Sequence, residues 1–412
     1  MGEPRRIVIV GSGLAGATAA GALRDGGYTG QVLLLGQEEH QPYELPALSK
    51  GILLGEQTEP DWVHDAASYA ERDIELRLST AVGEVRPAEH EVIEADGTTH
   101  PYDRLLLATG SQPRRPVMTG VHLDGLHLLR TLDDARGLRA ELREGRRVVI
   151  VGAGWIGCEV AAAARRSGCE VTVVEPMPLP LYRVLGDTIA GVFRDLHAEE
   201  GVVWKLGVGV FGFTGDEDGR VTGVSLDDGS ELPSDVTVVA VGAAPRVELA
   251  HAARLDLAPA TVSGGVDVDA CLRTSAPDVY AAGDIAAHAH PRHGRRVRVE
   301  HWANARDQGA HVAGNLVGGS KPYTASPYFF SDQYDLGLEF RGIADPLADE
   351  LVVRGDLAAR EFVAFWLRDD EVRAAMNVNV WDAGDVLSAL VDGDVKVERT
   401  KLADADLASL VG

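Results

Sequence analysis

Cysteine is scarce in this chain: Cys158, Cys169 and Cys271 are the only three in 412 residues. No two of them fall in a C-x-x-C or other metal-ligand spacing, which argues against a zinc site, an iron–sulfur cluster held within the chain and a disulfide-built scaffold. Positive charge is also short. Lys and Arg total 39 against 63 Asp and Glu, for a formal charge of −24, whereas nucleic-acid binding needs a basic footprint. No apolar run approaches the roughly 20 residues that span a bilayer. The opening MGEPRR leads straight into an apolar strand and leaves no room for a signal peptide, so the expected location is the cytoplasm. What remains is an ordinary globular composition, 45% hydrophobic and 25% charged, at a length that suits two or three domains.

Glycine is placed with purpose. IVIVGSGLAGATAAGAL carries Gly11, Gly13 and Gly16 in a G-x-G-x-x-G frame, and VVIVGAGWIGCEVAAAA repeats that frame with Gly152, Gly154 and Gly157. Each frame lies between a β-branched run and an Ala-rich run, so each reads as strand, tight turn and helix. That is the unit that cradles a dinucleotide pyrophosphate at a helix N-terminus. Ala15 keeps the first approach open, and Ile156 lies inside the second turn. The strand ending each unit should supply a carboxylate for the ribose hydroxyls. The second unit has Glu175, 21 residues beyond Gly154, which favours NADH by repelling a 2′-phosphate; Arg183 is the nearby cation that could reach a phosphate instead. The first unit ends in Gly36-Gln37-Glu38-Glu39, so either Gln37 or Glu38 holds the ribose there, with Glu38 the acid at hand.

Between and beyond these units, HQPYELPALSKGILLG reads as a proline-shaped loop entering a short helix. Residues 82–110 read as hairpin strands around Asp96-Gly97, closing on LLLATG, and 202–242 as a β-meander. DVYAAGDIAAHA reads as a strand, a Gly-Asp turn and an apolar helix. Asp284 in that turn can accept ribityl hydroxyls and cap the helix. From about 321 the pattern becomes aromatic and alternating, an α+β module without a nucleotide signature.

PYELPALSK (42–50), LLLATG (105–110), AAGDIA (281–286), VRVEHWANARDQG (297–309) and FFSDQY (329–334) occur in this order with the two fingerprints. Together, over essentially the whole chain, they resemble the FAD-dependent NADH:ferredoxin reductases of bacterial oxygenase systems, the putidaredoxin reductase and aromatic-ring dioxygenase reductase family. The resemblance implies an α/β fold of the glutathione-reductase-like kind. A discontinuous FAD domain (1–112 and 243–320) would be interrupted by an NAD domain (113–242) and followed by a C-terminal α+β domain (321–412). It implies Lys50, Val82, Arg130, Asp284 and Trp302 as flavin contacts, with Trp302 over the pyrimidine end of the ring and Glu300, Asn304 and Gln308 behind it. It also implies that Glu159, at the start of the second fingerprint helix, points toward nicotinamide and flavin and pairs with Lys50. The catalytic pair is then expected to be Lys50, stabilising negative charge on the reduced ring, and Glu159, orienting the nicotinamide amide. The sequence departs from the family at Gln37, where an Asp is common, and at Leu45 and Ala47, where Arg and Pro are common.

The cysteine count separates the branches of this fold. Disulfide reductases need a dithiol beside the flavin, and peroxide-reducing relatives need a reactive cysteine in the loop after the first unit, yet PYELPALSK has none. Cys158 reads as a small packing residue. Electrons are therefore expected to leave FAD directly for an acidic 2Fe–2S ferredoxin that supplies a haem monooxygenase or ring-hydroxylating dioxygenase. Arg292, Arg295, Arg296 and Arg298, the one strongly basic stretch, form the candidate docking patch. An NADH oxidase or peroxide reductase and a non-turnover NADH-sensing flavoprotein remain the alternatives.

Overall fold

A computed structural model describes residues 3–262, 264–393 and 396–411. The chain divides into two compact units: Met1–Glu44, Pro60–Gln112 and Ala243–Pro327, and then Leu45–Glu59, Pro113–Gly242 and Tyr328–Gly412. The first unit breaks after Gln112, while the short segment with Lys50 and the residues Tyr328–Gly412 group with the second unit.

In the first unit five parallel strands run in the order Val279–Ala281, Arg104–Leu107, Arg6–Val10, Gln31–Leu35 and Ile74–Arg77. Ile7 is level with Val32 on one side and with Arg104 on the other. Residues Ile7–Val10 and Val32–Leu35 are buried without a break, as a parallel sheet covered on both faces demands. The first fingerprint helix, Leu14–Asp25, packs along the helix Trp302–Leu316. Gly309 makes that approach possible, since a Cβ there would lie 2.4 Å from the Ala15 carbonyl oxygen. The expected hairpins form as an antiparallel sheet of Val82–Arg86, Glu91–Glu94 and Thr99–Pro101.

The stretch after Asp284 does not form the expected helix. Only one 3₁₀ turn, Gly283–Ile285, precedes a strand, Ala286–His290, which pairs in parallel with Val266–Val268 and antiparallel with Arg295–Val297. Pairing on both sides outweighs the helix preference of three alanines, a preference measured in tenths of a kcal/mol per residue.

The second unit repeats the plan with the order Val203–Leu206, Glu170–Glu175, Arg147–Val151, Val236–Val239 and Leu126–His127. The expected meander is accordingly shorter. Val203–Leu206 and Val236–Val239 enter the parallel sheet, and only Val210–Gly215, Val221–Leu226 and Glu231–Pro233 form the antiparallel one. The C-terminal part is a five-stranded antiparallel sheet with both faces buried. Along Glu361–Arg368, Phe362, Ala364 and Trp366 share a cluster with Leu185 and Phe193, which belong to the helix Tyr182–Glu199. Val363, Phe365 and Leu367 face Leu387 and Leu390. Strand alternation thus divides one apolar run between two cores. Among the described residues no helix is long and apolar enough to cross a membrane.

Candidate dinucleotide and ion-pair sites

The six fingerprint glycines do two kinds of work, divided identically in the two units. Gly11 has φ +111°, and a Cβ on it would lie 2.2 Å from the Ala108 carbonyl oxygen; a Cβ on Gly16 would lie 1.9 Å from the Gly11 oxygen. In the second unit Gly152 has φ +101°, and a Cβ on it would lie 2.4 Å from the Ala240 carbonyl oxygen; a Cβ on Gly157 would lie 2.1 Å from the Gly152 oxygen. These four are required by the protein's own packing. Gly13 and Gly154 are different, because a Cβ on either would meet no protein atom within 4 Å. Both are N-cap residues without a side-chain acceptor, and neither helix has an acid in its first turn. An uncapped positive helix end with open space beside it fits a pyrophosphate. The residues present therefore suit a dinucleotide in each unit.

Ala15 is buried, and a Cβ on Gly283 would lie 2.9 Å from its own Cβ. At the end of the next strand Glu38 is exposed and accepts a hydrogen bond from the Tyr43 hydroxyl at 2.7 Å. Gln37 accepts from Arg246 at 3.4 Å. Asp284 is buried, and its carboxylate accepts from the Ser111 hydroxyl at 2.8 Å. It does not cap a helix, as the N-cap position is Ala282 and has no side-chain bond. Two further residues fix this turn: Gln308 accepts from the Gly283 N–H at 2.9 Å, and Arg298 donates to the Asp284 carbonyl at 3.0 Å. Trp302 opens its helix, donates from the indole N–H to Glu44 at 2.8 Å and lies under the Arg306 guanidinium at 4.4 Å. Burial holds the Glu44 carboxyl above its ordinary range. Asn304 donates to the Val299 carbonyl, and Val82 packs on the main core of this unit.

In the second unit Glu175 is held on both oxygens. The Ala153 N–H, inside the glycine turn, donates at 2.8 Å, and the Met177 N–H at 3.0 Å. Ile156 is 43% exposed beside the open position at Gly154. Arg130 precedes Thr131, the N-cap of the helix Leu132–Glu141, and its backbone N–H donates to Asp134.

Lys50 sits at the break between two short helices, Pro46–Ser49 and Gly51–Leu54. Its ammonium is 2.9 Å from the Glu159 carboxylate, which is 5% exposed, and 5.3 Å from the centre of the Phe330 ring. Glu159 lies just past the first turn of its helix, rather than within it. It also accepts from the Ser331 hydroxyl at 2.6 Å and from Ser49. Ser331 and Ser49 escaped the sequence reading. The available signal was the strand alternation of FFSDQY, which puts Ser331 and Gln333 on the buried side and leaves Asp332 exposed.

The basic stretch is only partly available as a surface. Arg298 has a side chain 4% exposed and pairs with Glu300 at 2.6 Å, while Arg296 pairs with Asp267 at 2.7 Å. Arg295 is exposed and Arg292 half-buried. Arg298 therefore serves the Asp284 turn and leaves the proposed patch. Cys158 is fully buried, and burial raises its thiol far above the ordinary range despite the helix start beside it.

Residues 5–309 match the pyridine nucleotide-disulphide oxidoreductase family and residues 328–410 the reductase C-terminal family. The 5,5′-dehydrodivanillate O-demethylase ferredoxin reductase subunit of Sphingobium sp. is 40% identical over 97% of this chain and 96% of its own length. The ferredoxin–NAD(+) reductase component of the anthranilate 1,2-dioxygenase system of Burkholderia cepacia is 40% identical over 96% of both. Among solved structures, the reductase in the covalent putidaredoxin reductase–putidaredoxin complex matches with a TM-score of 0.94 and 34% identity, over 99% of this chain and 98% of that one. This chain belongs to the pyridine nucleotide-disulphide oxidoreductase family, among its FAD- and NAD-using ferredoxin reductases.

Proposed function

We propose that this chain oxidises NADH and delivers the electrons, one at a time, to an acidic 2Fe–2S ferredoxin serving a haem monooxygenase or a ring-hydroxylating dioxygenase. The observation that carries this reading is the second uncapped glycine turn, since a chain that held only a flavin would have no use for it. FAD, when bound, supplies the conversion of a two-electron hydride donor into two single-electron transfers. The residues that would hold it are Gly11, Gly13, Ala15, Gly16, Glu38, Val82, Asp284 and Trp302, with Lys50 and Arg130 reading as further contacts from the family resemblance.

Gly152, Gly154, Ile156 and Gly157 receive the NADH pyrophosphate. Glu175, pinned by two backbone N–H groups, keeps a free lone pair on each oxygen for ribose hydroxyls and repels a 2′-phosphate. Glu159 orients the nicotinamide amide, and Lys50 balances the charge of Glu159 and of the hydride-transfer step. Arg295 and Arg292, with Arg296 contributing its residual field, guide the acidic partner despite the net charge of −24. The lack of a cysteine in 42–50 and the buried, neutral Cys158 weigh against a thiol-based peroxide reductase. The test is ferredoxin-coupled cytochrome c reduction with NADH and NADPH. A kcat/KM about tenfold or more in favour of NADH, reduced in Glu175→Ala, is expected from the loss of the ribose acceptor. Equal use of NADPH by the unaltered protein would contradict the assignment of Glu175.

A further inference from the structure

Glu159 ends a line of buried side chains that the hydride-transfer reading leaves unused. Its Oε1 accepts from Ser331 Oγ at 2.6 Å, and Ser331 Oγ in turn accepts from Gln333 Nε2 at 3.2 Å. Gln333 Oε1 accepts from His197 Nε2 at 2.8 Å. Glu159, Ser331, Gln333 and His197 are all buried. The direction of every bond follows from the carboxylate end. An ionised carboxylate only accepts, so Ser331 must donate its one hydrogen to it and take one from the Gln333 amide. The Gln333 carbonyl then faces the imidazole, which must carry its proton on Nε2. His197 Nδ1 has no hydrogen-bond partner among the described residues, as expected of the bare lone pair in that tautomer. Burial pushes His197 down to about 4, which keeps the ring neutral near pH 7.

We infer that Ser331, Gln333 and His197 are positioning residues for the known reaction, a one-way hydrogen-bond chain that keeps the Glu159 carboxylate aimed. The inference rests on the reading that Glu159 acts in hydride transfer. It assigns a purpose to the S-D-Q part of FFSDQY: Ser331 and Gln333 share the inward face of one strand, Tyr328–Gln333, while His197 comes from the helix Tyr182–Glu199. The other titratable groups facing Glu159 are Lys50 at 2.9 Å, Asp332 and the neutral thiol of Cys158. Lys50 holds Oε1 and Ser49 holds Oε2; Ser331, itself oriented by Gln333, adds a directed second donor on Oε1 that neither of them supplies.

The experiment is anaerobic stopped-flow bleaching of the FAD-loaded protein by saturating NADH, at pH 7, for the unaltered protein and for Ser331→Ala, Ser331→Thr, Gln333→Met and Glu159→Gln. Flavin content and visible spectrum establish that each variant is folded and loaded. With Ser331→Ala or Gln333→Met the limiting rate at pH 7 falls about three- to tenfold, and Ser331→Thr, which keeps the hydroxyl donor, restores it. In the Glu159→Gln background, Ser331→Ala adds no further loss. A loss of thermal stability alone, with the rate as in the unaltered protein, overturns the inference while leaving the role of Glu159 intact, provided Glu159→Gln is slow. If Glu159→Gln bleaches at the unaltered rate, the hydride-transfer reading itself fails, and that result is distinct from the first.

Discussion

Gly11 and Gly13 stand two positions apart and fail differently when replaced by alanine. Gly11→Ala meets a carbonyl oxygen at 2.2 Å and a φ of +111°, so it costs roughly 2 kcal/mol or more of stability. Gly13→Ala meets no protein atom within 4 Å; urea unfolding of the flavin-free protein should move by less than about 0.5 kcal/mol, while FAD affinity drops tenfold or more. A Gly13→Ala protein that keeps its flavin affinity would mean the open space holds no pyrophosphate. The glycine positions were legible in the sequence because the fingerprint spaces them, but their division into two roles came only with the structure. The Lys50–Glu159 pair was legible only through resemblance, since 109 positions separate the two residues and no local periodicity relates them. Ser49 and Ser331 went unread for the same reason: a small polar residue, at the end of a short helix or within a strand, gives no sign of a partner more than a hundred positions away.

At the scale of elements, the strands and fingerprint helices were readable because apolar runs and their alternation report burial directly. The failures are where pairing decides. Ala286–His290 has a helical composition and becomes a strand through neighbours on both sides, and Val203–Leu206 looks like part of a meander but joins the parallel sheet. The contact of the helices Leu14–Asp25 and Trp302–Leu316 is the element-level feature most open to test. Gly309→Leu would force a side chain against the Ala15 backbone; a loss of about 3 kcal/mol and release of FAD are expected, read by unfolding and by flavin fluorescence. The basic segment yields a second contrast. Arg295→Gln should raise the KM for ferredoxin about threefold and flatten its salt dependence without loss of flavin, as for an exposed steering charge. Arg298→Gln should loosen the Asp284 turn and weaken FAD binding while leaving the salt dependence unchanged. The reverse pattern would place docking on the wrong arginine.

For the whole molecule, the buried His197 and His288 and the half-buried His301 shape the response to acid. Burial pushes His197 and His301 down to about 4 and His288, with His290 and His293 beside it, down to about 3. Each folded value lies below the unfolded one of about 6.5, so the unfolded chain takes up protons first. Stability is therefore full above about pH 6.5 and falls by about 1.4 kcal/mol per pH unit per histidine toward pH 4. Urea midpoints at pH 7.5 and 5 should differ clearly, and His197→Gln should lessen the difference. The grouping of Leu45–Glu59 with the second unit, and of the C-terminal sheet with the helix Tyr182–Glu199, lay beyond sequence reading because both depend on contacts between segments far apart in the chain. The central claim concerns the route of electrons through the whole chain. It is tested most directly by bleaching the FAD-loaded protein anaerobically with NADH and then adding 2Fe–2S ferredoxin, dioxygen or hydrogen peroxide in separate runs. The account predicts rapid bleaching and prompt return of the oxidised spectrum with ferredoxin alone. Prompt return with peroxide or dioxygen, or slow return with every acceptor, would contradict it.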